Sequence, residues 1–205
     1  MSDLDEKHEI IRRRDELFAF DLAKRIMEKP KASIWIIFMP VFFVFYAQRL
    51  QKYKGSVHGF VKHYLHTKTL ALDAALEESK GHKPLDERSA QDLPSEDQAW
   101  KIREQQHQEL DLLREHYLLL LRSSGKSYPE LVRSGYSTSG AYRSFLNRLI
   151  KAEGAVNRAV LDVHHPGEEA QDVVHRMEQN AEDLREKEIQ EIFSSKSSND
   201  KKKKP

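Results

Sequence analysis

The chain has 205 residues, with 34 Lys or Arg against 33 Asp or Glu, and it contains no cysteine. That length allows one ordinary domain with appendages, and the balanced charge points to no partner globally, so charge has to be read region by region. The missing thiols exclude disulfides, thiolate catalysis and Cys-ligated zinc or iron-sulfur sites, which leaves histidine, carboxylate and hydroxyl chemistry.

Residues 1–31 read as a basic amphipathic helical arm. Ser2 and Asp5 stand at capping-box spacing. Ile11, Phe18, Leu22 and Ile26 then recur at helical intervals with Ala19 and Ala23 beside them, and Arg12, Arg13, Arg14, Lys24 and Arg25 lie close by. Such a helix suits a membrane interface, and it equally suits packing on a soluble domain. Polar residues precede the apolar stretch, an arrangement unlike a secretory signal, so the stretch is expected to be retained.

Residues 32–50 are the most distinctive. From Ala32 to Ala47 there is no formal charge, and Trp35, Phe38, Phe42, Phe43, Phe45 and Tyr46 leave no polar face for a soluble helix to turn outward. Sixteen helical residues reach about 24 Å, short of the roughly 30 Å of a hydrocarbon core. Pro40 near the middle removes one backbone donor and crowds the preceding turn. Basic residues flank both sides: Lys29 and Lys31 before, Arg49, Lys52 and Lys54 after. The positive-inside rule then favours both flanks on one side. These features predict a membrane-inserted, Pro-broken helical hairpin in one leaflet, ahead of a short span and of a buried soluble helix, with the flanking cations on lipid headgroups.

Residues 51–78 are predicted as a basic juxtamembrane helix: Gln48 to Leu72 carries Arg49, Lys52, Lys54, Lys62 and Lys68 and no acid, with Tyr53, Phe60 and Tyr64 interleaved. Gly81, Pro84 and Pro94 break the periodicity and mark 79–96 as a linker. Residues 97–193 read as a helical bundle domain. Its first helix, to about Arg122, places Leu110, Leu113, Tyr117 and Leu120 on one stripe. A short helix over Tyr128–Arg133 is expected to end at Ser134 and Gly135. Next comes a packing seam of Tyr142, Phe145, Leu149, Ala152, Val156, Ala159 and Val163, stepping by three and four. The last helix follows Pro166 and Gly167, with Val174, Met177, Ala181, Leu184 and Ile192 on its apolar side and many Glu elsewhere. The tail, 194–205, is Lys-rich and has nothing to bury, so disorder is expected.

Candidate chemistry is sparse. Glu104 and His107, Asp172 and His175, and Glu153 imitate the spacing of a di-metal bundle site, but Glu104 and His107 fall on the polar side of their helix. The pairs His63/His66 and His164/His165 lack further ligands. Tyr128–Leu149 imitates a helix-turn-helix carrying Arg133, Arg143 and Arg148, but its second half belongs to the long seam. No catalytic, cofactor or metal residue is assigned. The prediction is an all-α chain: a membrane-inserted Pro-broken helix followed by an antiparallel helical bundle or coiled coil. Its expected role is that of a non-enzymatic membrane scaffold or assembly protein with a cytoplasmic bundle, its partners membrane lipid and a protein or a second copy of itself rather than nucleic acid. A membrane-tethered nucleic-acid-binding protein and a metal-dependent bundle enzyme are the alternatives.

Overall fold

The computed structural model describes residues 2–27, 40–82, 99–165 and 167–194. Among these the chain is all-helical, with α1 Asp3–Ile26, α2 Pro40–Ser79, α3 Ala99–Arg122, α4 Tyr128–Tyr136, α5 Ser139–His164 and α6 Glu168–Ser194. The expected all-α class holds, and the helices pack as a bundle.

Local chemistry explains three of the helix starts. The Ser2 hydroxyl accepts from the Asp5 amide at 3.2 Å and the Ser2 amide donates to the Asp5 carboxylate at 3.1 Å, closing the capping box predicted for α1. Thr138 caps α5 through its hydroxyl on the Ala141 amide. Pro40 stands at the first position of α2, where a missing N–H leaves no hydrogen bond unmade. From there α2 runs for 40 residues, about 60 Å, straight through the expected boundary at 50/51. The apolar segment's second half and the basic helix are therefore one element. α4 also runs past its predicted stop, to Tyr136. Gly135 is there for closeness, since a Cβ would lie 2.8 Å from the Ser123 hydroxyl oxygen.

Cross-contacts set the directions. At one end, Lys80 approaches Asp5 and His8 hydrogen-bonds Asp73 at 2.9 Å; at the other, Met27 and Tyr53 pack on the same Ala19, Ala23, Val57 and Val61 cluster. α1 and α2 are antiparallel. α2 and α3 run parallel, because Glu78 meets Arg114 at 2.7 Å while Thr67 and Glu109 border one cleft nearer their N-terminal ends. The parallel pair involves α2, which lies outside the bundle domain expected over 97–193. Parallel neighbours need a long connection, and residues 80–98 supply it. α5 runs back against α3, with His116 stacked on Phe145, and α6 runs back against α5, with Tyr142 near Phe193 and Glu153 on Arg185.

The main core joins Ile11, Leu72, Leu113, Tyr117, Leu120, Leu131, Val132 and Tyr142; a second cluster holds Phe18, Leu22, Ile26 and Ala181. The stripe of α1 is thus buried in protein rather than turned to a lipid interface. Ala19 and Ala23 let α1 approach Val57 and Val61 closely. The predicted seam of α5 is buried at Tyr142, Phe145 and Leu149, but Ala152, Val156, Ala159 and Val163 are only half-buried. A coiled-coil seam running the helix length is therefore not what forms: α5 closes on its neighbours in its first half and borders a cleft in its second.

If α1 belongs to the core, truncating Ile11, 0% exposed, to Ala will destabilise the chain by about 2–5 kcal/mol in chemical denaturation. Leu17→Ala, at a site 57% exposed on the same helix, will stay within about 0.5 kcal/mol of the parent.

Candidate functional site

The least expected feature of the interior is its charge. Lys68 and Arg185 are 5% and 4% exposed, and both pair with Glu153: Arg185 Nη2 donates to the two carboxylate oxygens at 2.7 Å, and Lys68 Nζ donates to one at 3.4 Å. Burial alone would raise the Glu153 pKa; Arg185, and then Lys68, outweigh it, so the carboxyl is held below its ordinary range. Arg14 pairs with Glu188 at 2.7 Å, and Asp15 accepts from the Tyr117 hydroxyl at 2.7 Å. Burial raises the Asp15 pKa. His116 donates to or accepts from the Tyr136 hydroxyl at 2.7 Å and stacks on Phe145 at 4.1 Å between ring centres. Burial, assisted by Lys68, lowers its pKa to about 3, so the imidazole is neutral.

Beside this network lies a cleft of about 740 Å³ bounded by α2, α3, α5 and α6. Phe60, Tyr64, Ile150, Val156, Val160 and Met177 supply apolar wall, and Glu153 and Arg185 reach its floor. Glu109 also opens onto it. That residue is 9% exposed and has no ion pair or hydrogen bond among the described residues. Burial, reinforced by Glu153, pushes its pKa up to about 7. A buried carboxyl in a cleft, poised to gain or lose a proton near neutrality, is the strongest chemical feature of the described structure.

The residues singled out by sequence fall elsewhere. Trp35, Phe38, Lys29 and Lys31 lie outside the described residues. Pro40, Phe42, Phe43, Phe45, Tyr46 and Arg49 are on the first turns of α2, and Lys52 and Lys54 are exposed just beyond them. No helix among the described residues is long and apolar enough to cross a membrane. Glu104 and His107 line an outer surface with Trp100 and Asp111, far in role from Glu153, which is held by its two cations. No group of three metal-ligating side chains occurs among the described residues. The arginines of the helix-turn-helix look-alike are engaged: Arg133 with the Ile192 carbonyl at 2.7 Å, Arg143 with Glu186, Arg148 near Glu115.

Sequence reasoning missed Lys68, Glu109, Glu153 and Arg185 as a group, yet the signal was present. Lys68 lies four residues from both Tyr64 and Leu72, Glu109 four before Leu113, and Arg185 four after Ala181. Each is a charge set into an apolar stripe, where the interior has to compensate it.

Glu153→Gln will destabilise the fold by about 3–5 kcal/mol, because it strands two buried cations. Glu109 behaves oppositely. Its folded pKa of about 7 exceeds the ordinary 4.5, so the folded state holds the proton more tightly and stability falls as pH rises from about 4.5 to 7. Glu109→Gln will therefore raise stability by about 1–3 kcal/mol at pH 8, with the gain fading toward pH 4.5 in paired denaturation curves. Neither a protein-family model, nor a curated protein, nor a solved structure matches this chain.

Proposed function

We propose that this chain is a non-enzymatic, membrane-associated scaffold whose bundle is held against one leaflet by the segment 32–50 and offers α6 to a protein partner. The observation that carries the reading is the antiparallel packing of α1 on α2. Met27 and Tyr53 sit on one cluster, so the chain leaves and re-enters the bundle at the same end. Both flanks of the apolar segment then face one side, which supports a re-entrant element over a span that would separate α1 from α2.

Charge at that end agrees. Lys24 and Arg25 on the last turn of α1 and Lys52 and Lys54 on α2 are exposed, a basic edge of the kind an anionic headgroup layer attracts at roughly 1 kcal/mol per residue. The start of α6, with Glu168 and Glu169, belongs to the same end, so the attraction is confined to the α1–α2 edge. Outward on α6, Glu182 and Asp183 are exposed and offer negative charge to a basic partner surface.

The chain has no native cysteine, so single cysteines at Ser2 and Ser144 can be probed with a membrane-impermeant thiol reagent on sealed vesicles. Both will label from the same side; labelling from opposite sides would remove the one-leaflet reading. In flotation assays with phosphatidylserine vesicles, Phe42→Glu with Phe45→Glu will abolish binding. Lys52→Glu with Lys54→Glu will weaken it about tenfold or more at low salt and less at high salt.

A further inference from the structure

We propose that the cleft between α2, α3, α5 and α6 is a binding site for a small amphiphilic organic cation, a primary ammonium on a hydrocarbon or aromatic body, with Glu109 as its anchor. The inference does not depend on the membrane reading.

Two buried cations, Lys68 and Arg185, and the partly buried Arg14 face four carboxyls, Asp15, Glu109, Glu153 and Glu188. Glu153 and Glu188 have their ion pairs and Asp15 has the Tyr117 hydroxyl. Glu109 is left without a hydrogen bond or ion pair among the described residues, and it borders the large cleft. A second polar group bordering the cleft is in the same condition: the Tyr64 hydroxyl is buried with no hydrogen-bond partner. Burial raises its pKa to about 12, so it stays a neutral phenol able to accept as well as donate.

An ionised Glu109 lacks a positive counterpart, and the form of the cleft decides which kind fits. Its volume of about 740 Å³ is that of a small-molecule pocket. Ile150, Val156, Val160, Met177 and Phe60 give hydrocarbon contact that a bare metal ion or ammonium could not use. With no three-ligand cluster among the described residues, a metal has no coordination set here. An ammonium head donates to the Glu109 carboxylate, a charge-assisted hydrogen bond in a partly desolvated site, and its tail covers the apolar wall. Lys151 and Arg158 are exposed on the rim, balanced there by Glu178 and Glu182, and do not set the selectivity of the floor.

The test is calorimetric titration of the full chain at pH 8 with octylammonium, octanoate and octanol, which share a tail and differ in head charge. Octylammonium will bind one per chain, about tenfold or more tighter than octanol, and octanoate more weakly than either. Glu109→Gln, which removes the charge while keeping shape, will erase the preference for the ammonium and leave octanol unchanged. Val156→Trp, which fills the wall, will weaken all three. Equal affinity for octylammonium and octanol, retention of the preference in Glu109→Gln, or no saturable binding of octylammonium by the folded parent would each overturn the proposal.

Discussion

Glu153 is the residue on which the arrangement of the helices turns. It lies on α5, takes Arg185 from α6 and Lys68 from α2, and thereby ties three elements far apart in sequence to one buried point. Ion pairs of this kind contribute little net stability against a well-packed apolar alternative, since desolvating each charge opposes the attraction. What they do enforce is register. Sliding α6 by one turn against α5 would leave a guanidinium and a carboxylate unpaired in the interior, a far larger penalty than the loss of a few apolar contacts. The bundle therefore has one alignment, and the aromatic layer of His116, Tyr136, Tyr142 and Phe145 is stacked on one side of it.

That alignment also explains why a cleft exists. Above Glu153 the first half of α5 carries large apolar residues and closes on α3. Beyond it the seam shrinks to Ala152, Val156 and Ala159, and the neighbouring helix faces contribute polar groups such as Gln106 and Glu109. Apolar matter is too thin there to fill the space between helices held apart by the ionic floor. Burial raises the Glu109 pKa to about 7, and the residue borders the open cleft without a hydrogen bond or ion pair among the described residues.

The second constraint is the α1–α2 hairpin. Small residues on α1 and β-branched ones on α2 bring the two helices together, so whatever lies between Met27 and Tyr53 begins and ends at one pole of the bundle. Lys24, Arg25, Lys52 and Lys54 are exposed near that pole, and α6 packs beside α1 through Phe18 with Ala181 and Arg14 with Glu188.

Much of this was legible residue by residue. Periodicity located the helices, the Ser2–Asp5 spacing announced the first cap, and Tyr142, Phe145 and Leu149 were visible as core because local apolar spacing of three and four is a property of the sequence alone. The composition of 32–47 likewise determined that this segment cannot be an ordinary surface helix. Tertiary structure decided the rest: that the basic arm is a core helix, that α2 continues through residue 50 and lies parallel to α3, and that Lys68, Glu109, Glu153 and Arg185 share one interior. The reason is physical. A helical stripe states which face is apolar, but not which other face covers it, and whether a charge within the stripe is solvated, paired or left waiting for a partner depends on side chains tens of residues away.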